Sequence, residues 1–443
     1  MVEHLSTFSD RVALIDSLGK YTYDDVCSQI AKYKLEFHGK INSGETVAII
    51  SDYNFYSIAL FFALLDVKCI LVPIVSVVTD EVNERIKAAR CNKTVKINYD
   101  GELSLVSSFY DEPFKMVEDL VRLKHSGLIL FSSGSTGEPK AMIHDLNLLV
   151  DSYKGKKSKK MVILVFLMFD HIGGLNTLLN SFMMGVQVVL PRFRECDEVA
   201  LLIQTHKVQV LPASPTFLNL MLMGNVTEKY DLSSLRMITY GTESMAKSLL
   251  ERLRVRFPKV KFLQTFGTSE TGIAKTESRS SSSLEIKFDD PNLEYKIVDS
   301  ELWLKSKTQI IGYLNASSDN FTDSGWFKTG DLVEEMNDGF LRIVGRNKEM
   351  INVGGEKVMP SEVESVLLEI DKVKDVVVRG GTNAITGNMV EADIVWAGDE
   401  DKQEIRKIIR VFSRTKLSSY KIPVKINIVD ALDYSSRFKK KRL

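Results

Sequence analysis

Short apolar runs alternate with longer segments of mixed character along much of the chain, the pattern of strands interleaved with helices. Tyr21 to Asp24 reads as a strand end and N-cap leading into a helix from Asp25 to Phe37. Gly44 to Ile50 is a turn into an apolar strand, and Asp52 to Leu65 is helical. The greasiest stretch, Tyr56 to Val78, is broken by Asp66 and Lys68 and falls short of the ~18 uninterrupted apolar residues of a spanning helix. It predicts a buried helix followed by a core strand, Cys69 to Ile74. Helices are expected over Asp145 to Tyr153, up to Met184, from Phe217 and over Ala246 to Arg256, with strands at Met161 to Leu167, Val186 to Leu190, Val208 to Leu211 and Arg236 to Tyr240. Such alternation predicts α/β architecture, with parallel-rich sheets flanked by helices.

The later chain reads differently. Glu277 to Ser283 has no apolar periodicity and predicts a mobile surface loop, followed by a hairpin of Glu294 to Val298 and Glu301 to Leu304 around Asp299 and Ser300. From Glu349 onward a strand near Met350 to Val353, a Gly354-Gly355 turn, a helix Pro360 to Ile370, strands Val373 to Arg379 and Val390 to Trp396, a helix Asp401 to Leu417 and a strand Val424 to Val429 predict a small α+β unit.

At 443 residues the chain is long enough for two or three domains. Its 44% hydrophobic and 26% charged residues are those of an ordinary globular protein. Lys+Arg and Asp+Glu both number 58, leaving no overall field to recruit nucleic acid or an anionic membrane. The cluster Lys154 to Lys160 reads as a solvated turn, the alternative being a patch for an acidic carrier protein or the phosphates of CoA. Cys27, Cys69, Cys91 and Cys196 are scattered, without the spacing of a metal site or a disulfide framework, which suits a reducing cytosol. Met1 to Ser6 carries no basic-then-apolar signal, so the expectation is a cytoplasmic protein without a membrane span.

The densest chemistry lies between Leu128 and Lys140. A buried strand, Leu128 to Phe131, empties into Ser132, Ser133, Gly134, Ser135, Thr136 and Gly137, then Glu138, Pro139 and Lys140. Glycines that let the backbone approach a ligand, hydroxyl donors and a lysine have the composition of a phosphate cradle, a Ser/Gly-rich surface turn being the alternative reading of the loop alone. The spacing is not that of the Walker loop, because Lys140 follows Pro139 and precedes Ala141. Elsewhere Phe266 offers an aromatic face, Gly267 keeps the backbone clear of it, Glu270 is a hard-oxygen donor suited to Mg2+, and Asp331 is a lone carboxylate at a strand mouth.

Phe131 to Lys140 resembles the phosphate loop of the adenylate-forming (acyl-CoA synthetase, AMP-binding) superfamily. Four further segments match in order: Gln264 to Gly272, Gly325 to Leu332, Gly345 through Gly354-Gly355 to Glu364, and the basic end around Lys439. The resemblance implies a large ATP- and acyl-binding domain, 1–346, and a small mobile C-terminal domain, 347–443, joined at a hinge on Lys348. It implies an ATP site of Ser132 to Gly137, Lys140, Gly241, Thr242 and Glu243 along the adenine, Phe266, Gly267, Thr268, Ser269, Asp331 on the ribose, and Arg346. Glu270 and Thr136 would hold Mg2+, and both join Lys439 as catalytic residues. His171, Gly174, Gly267 and Gly272 would border the acyl pocket, and Gly354 and Gly355 the thiol channel. His171 beside Asp170 reads equally as a structural hydrogen-bonding pair. The tail departs from the family, with Phe438 in place of glycine and Lys440 in place of an aliphatic residue, so Lys440 is the alternative register for the lysine.

The implied reaction activates a small carboxylic acid with Mg-ATP to an acyl-adenylate and passes the acyl group to a thiol, CoA first. Such transfer needs alignment and charge neutralisation rather than a nucleophilic triad. The rivals are a free-standing adenylation enzyme loading the phosphopantetheine of an acyl carrier protein, and a non-catalytic nucleotide-binding homologue. A monomer or homodimer is expected.

Overall fold

The computed structural model describes residues 1–110, 112–133, 139–435 and 438–442. Gly134, Ser135, Thr136 and Gly137 of the predicted cradle lie outside the described residues, and of Ser133 only the backbone is described.

Two mixed sheets form the body of the large domain. In one, the parallel strands Val12–Ile15, Val162–Leu164, Gln187–Val189, Val210–Ala213, Met237–Tyr240 and Lys261–Gln264 stand side by side. In the other, Thr46–Ile50, Ile70–Ile74 and Lys93–Ile97 are parallel, and Gly127–Ser133 continues the sheet beside Ile70–Ile74. Helices Tyr23–Glu36, Phe55–Val67 and Ile172–Met183 share one core with strands of both sheets. This explains why Phe55–Val67 is so apolar: residues 57–65 are buried throughout, and the polar Asp66 comes only in its last turn. Asn54 and Ser57 close its first turn as a reciprocal capping box, so the helix begins after the polar stretch that includes Asp52.

Within Gly127–Ser133 the side chains alternate between two cores. Leu128 and Leu130 join the central one, and Ile129 and Phe131 the one under helices Thr79–Ala88 and Lys115–Arg122. Gly127–Ser133 pairs antiparallel with Pro139–Asp145, with Ser132 opposite Lys140.

Most strands between residues 276 and 346 build a separate antiparallel sheet that includes Phe327–Glu335 and Leu341–Arg346, with Asp331 opposite Arg346. Of the loop expected over Glu277 to Ser283, Glu277 and Ser278 belong instead to strand Thr276–Ser278, which pairs with Glu285–Phe288 as a hairpin, and 279–283 form the connection. Serine hydroxyls supply what apolar periodicity does not, since Ser278 and Ser281 accept from the backbone N–H groups of Gln264 and Phe262.

After Arg346 a single turn of 3-10 helix, Asn347–Glu349, leads into a small sheet of Ile351–Val353, Glu356–Val358, Val373–Asn383, Gly387–Trp396 and Lys425–Val429. Helices Pro360–Leu367 and Lys402–Lys416 pack on it around their own core. Among the described residues no helix is long and apolar enough to cross a membrane.

Candidate functional site

The carboxyl ends of parallel strands open onto a cleft where the two domains meet, the usual place for a ligand in such sheets. Residues at or beyond the ends of Val210–Ala213, Met237–Tyr240 and Lys261–Gln264, namely Ala213, Gly241, Thr242 and Thr265, line a cavity of about 800 Å³. Ser132 and Lys140 reach it from the cradle hairpin, Thr268, Ser269 and Glu270 from the hairpin that follows, and Arg346, Lys348 and Lys439 from the domain junction. A smaller cavity of about 200 Å³ adjoins it, sharing Gly241, Thr242, Gly267, Arg346 and Lys439, and adds Glu243, Phe266 and Asp331.

Close backbone approach shapes the cleft. A Cβ on Gly267 would lie 2.5 Å from the Gly272 carbonyl, so the strand pair Phe266–Thr268 and Gly272–Ala274 closes only with glycine there. Thr242 sits at φ 70°, a left-handed conformation that a β-branched residue rarely adopts and that concentrates at functional sites. The Phe266 ring meets Phe288 edge-on, with centroids 5.8 Å apart.

Asp331 and Glu270, two of the carboxylates that line the cleft, sit in different settings. Asp331 is buried and accepts from Arg346 Nε at 3.1 Å. Burial raises its pKa, opposed by the Arg346 charge. Glu270 accepts on Oε1 from the Tyr313 hydroxyl at 2.9 Å, and its backbone carbonyl accepts from Ile310 at 2.8 Å. Burial and the Glu270 charge hold the Tyr313 phenol protonated, well above its ordinary range. Lys140 Nζ lies 5.9 Å from the Tyr313 ring centroid. Glu270 thus presents one hard oxygen donor, which fits Mg2+ held chiefly by nucleotide phosphates. Among the described residues no cluster of three or more His, Cys, Asp or Glu side chains could hold a metal by itself.

Tyr313 carried no signal of its own in the sequence. It reaches Glu270 because the two-residue strand Gly312–Tyr313 pairs with Met142 and Ile143 at the sheet edge, a contact across some 170 positions that only the fold reveals. Asn176 and Thr177 likewise line the larger cavity from one face of helix Ile172–Met183.

His171 caps that helix: its Nδ1 accepts from the Gly173 N–H at 3.0 Å, so the neutral ring carries its proton on Nε2. The same ring borders the cavity. Its neighbour Asp170 pairs with Arg85 at 3.3 Å. Two expected pocket residues do not line either cavity. A Cβ on Gly174 would stand 2.4 Å from the Met168 carbonyl, so Gly174 serves packing and Gly173 faces the space instead. Gly272 turns the hairpin at φ 79°. Gly354 and Gly355 form the left-handed turn of a small-domain hairpin and also lie outside both linings.

At the end of the chain Lys440 pairs antiparallel with Tyr434, and residues 438–442 take different roles in turn. Lys439 lines both cavities. Lys440 directs its ammonium to buried Asp375, 2.7 Å away, and to the Val376 carbonyl at 2.8 Å, while its N–H donates to Glu243 Oε1 at 3.1 Å. Arg442 clasps Glu364 with two hydrogen bonds of 2.7 and 3.1 Å. Glu243 was expected along the adenine, yet both its oxygens are engaged locally: Oε2 accepts from the Thr216 hydroxyl at 2.5 Å. Burial raises its pKa, opposed by the Thr216 hydrogen bond and the two lysines.

Comparison with known proteins bears on this arrangement. The chain is 31% identical over 293 residues to 4-coumarate-CoA ligase-like 2 of Arabidopsis thaliana, covering 59% of this chain and 51% of that protein. It is 30% identical over 340 residues to a 2-succinylbenzoate-CoA ligase of Bacillus licheniformis, covering 70% and 68%. The chain thus spans about half the length of the first of these curated relatives and about two thirds of the second. Among solved structures, the anthranilate CoA ligase AuaEII in complex with anthranoyl-AMP superimposes with a TM-score of 0.84 at 20% identity, over 99% of this chain and 95% of that one. At that identity the likeness is one of fold: a large α/β domain and a small C-terminal domain. The family model described as AMP-binding enzyme matches residues 2–317, and that of the AMP-binding enzyme C-terminal domain matches 362–439, so the chain belongs to the AMP-binding enzyme family.

Proposed function

We propose that the chain is an AMP-forming acid–thiol ligase: it joins a small carboxylic acid to the AMP moiety of ATP and passes the acyl group to a thiol, CoA in the first instance. The observation that carries this reading is that segments far apart in sequence, bearing Lys140, Gly241, Glu270, Arg346 and Lys439, line one continuous cleft. Its curated relatives bear the names of CoA ligases, which favours CoA over a carrier protein.

In this reading Ser132 and Lys140, with the loop between them, hold the outer phosphates of ATP. Gly241, Thr242, Phe266 and Gly267 border the adenine, and Asp331, oriented by Arg346, accepts from the ribose hydroxyls. The acid occupies the end of the larger cavity near His171, Gly173 and Asn176, with its carboxylate toward the α-phosphate. A carboxylate oxygen attacks the α-phosphorus, the bond to the β-phosphate oxygen breaks, and pyrophosphate leaves. Lys439 neutralises the charge that gathers on the α-phosphate oxygens, in a site where such a cation acts far more strongly than in water. When bound, Mg2+ supplies charge neutralisation on the phosphates, with Glu270 as its protein ligand. The thiol then attacks the acyl carbon and AMP leaves.

The boundary falls at 346–347, with the turn around Lys348 as the hinge about which the small domain swings between the two steps, and Gly354 and Gly355 flank the thiol after that motion. A pyrophosphate-release screen over aryl, short-chain, long-chain and amino acids, with and without CoA, tests the reading. Acid-dependent pyrophosphate together with a CoA thioester supports it. Nucleotide binding with no pyrophosphate from any acid overturns it in favour of a non-catalytic binder, and release without a thioester points to a carrier-protein thiol.

A further inference from the structure

Both neighbours of Lys439 are fastened to the large domain. Phe438 stands at φ 51°, a left-handed conformation that glycine adopts freely and bulky residues rarely. Its carbonyl accepts from the Ser214 hydroxyl at 3.0 Å. Its ring packs against Phe166 and Phe217, with both centroid separations 5.2 Å. Ser214 also caps helix Pro215–Met223, accepting from the Phe217 N–H at 3.1 Å, so the docking face is itself rigid. On the far side the Lys440 N–H is held by Glu243. A strained backbone persists only where its surroundings over-determine it, and here an aromatic contact and a hydrogen bond on each flank of Lys439 do so.

We infer that Phe438 is a positioning residue: an aromatic latch that holds Lys439 in the cleft by docking its own left-handed turn on the Phe166–Phe217 face of the large domain. The inference rests on the adenylation reading of the cleft. The latch joins the tail to the large domain, so it serves the step that needs Lys439 in place and is idle in the step that does not. It also gives a side chain at an unfavourable φ a physical reason to be there: the ring contacts offset the backbone cost.

The test compares wild type with Phe438→Leu, Phe438→Gly and Phe438→Ala, using an acid that the wild type activates. Two half-reactions are read separately, as ATP–pyrophosphate exchange and as thioester formation from chemically prepared acyl-adenylate and CoA, together with KM for ATP and the thermal midpoint. The latch predicts exchange rates falling in the order wild type, Leu, Gly, Ala. Leucine keeps an apolar plug, glycine loses the plug but relaxes the turn, and alanine loses the plug and keeps the strain. The loss should be about 10-fold at glycine and larger at alanine, with thioester formation and KM for ATP within about twofold of wild type. Exchange by Phe438→Gly equal to wild type overturns the latch, and so does an equal fall in both half-reactions, which marks general packing. A wild type that exchanges with no acid sinks the adenylation reading itself and the latch with it.

Discussion

Ser132, Lys140, Gly241 and Gly267 stand on strands or strand ends of the large domain, whereas Lys439 reaches the same cleft on a tail tied down at Phe438, Lys440 and Arg442. Groups carried by a sheet are fixed by the whole fold. A group carried by a tail is fixed by a few contacts and can be withdrawn by breaking them, which suits a residue needed in one step only. The contrast extends to charge. Glu270 is oriented by a hydroxyl from a strand of the same domain, while Lys439 lines a cavity that residues of both domains border.

The sharpest way to break the comparison is to remove the cation. Lys439→Ala is expected to lower adenylation by on the order of 10²- to 10³-fold, the usual scale for one preorganised transition-state donor, while thioester formation from supplied acyl-adenylate survives. Lys440→Ala strands the buried Asp375 carboxylate and should cost on the order of 3 kcal/mol of stability, seen as a fall in denaturation midpoint. If Lys440→Ala alone abolishes adenylation and Lys439→Ala does not, the roles are reversed.

Next come the sheet-borne groups. Glu270→Gln should reduce adenylation by about 10- to 100-fold with a raised Mg2+ requirement, and Tyr313→Phe by about 10-fold through loss of orientation. Wild-type rates for Glu270→Gln at every Mg2+ concentration would remove it from the site. Asp331→Ala should mainly raise KM for ATP, because ribose contacts are nearly alike in ground and transition states. An unchanged KM contradicts that assignment.

The smallest effect concerns a buried histidine of the large domain. His144, on strand Pro139–Asp145, is fully buried and its pKa is lowered to about 4 by burial. The unfolded chain therefore binds the proton first, so the stability contribution is complete above pH ~6.5 and is lost as pH falls toward 4. Between pH 8 and 5 this amounts to about 2 kcal/mol. Chemical denaturation of His144→Gln should show an acid slope flatter by that amount, and an identical slope contradicts the burial argument.

Much of the scaffold was legible because strands buried on both faces and helices between sheets leave plain apolar runs, as in Thr46–Ile50 and Phe55–Val67. Glu270 and Asp331 were legible as cleft residues because each sits in a short segment of distinctive residue types. Three features were not, each for a tertiary reason. The hairpin at Thr276–Ser278 is stabilised by serine hydroxyls that imitate a solvated loop. The Tyr313 hydrogen bond to Glu270 depends on a two-residue strand pairing with a distant one. The partner of Lys440 is an aspartate 65 positions away, so a run of basic residues conceals one ammonium turned inward beside one at the cleft.

The central claim is that a carboxylate oxygen of the substrate becomes bonded to the α-phosphorus of ATP. A single turnover with acid labelled by heavy oxygen in its carboxylate, in the presence of ATP and CoA, tests it directly by mass spectrometry of the nucleotide products. Passage through an acyl-adenylate leaves one labelled oxygen in AMP, carried over when the thiol attacks the acyl carbon, with unlabelled pyrophosphate. Label in orthophosphate together with ADP, the signature of an acyl-phosphate route, would contradict it.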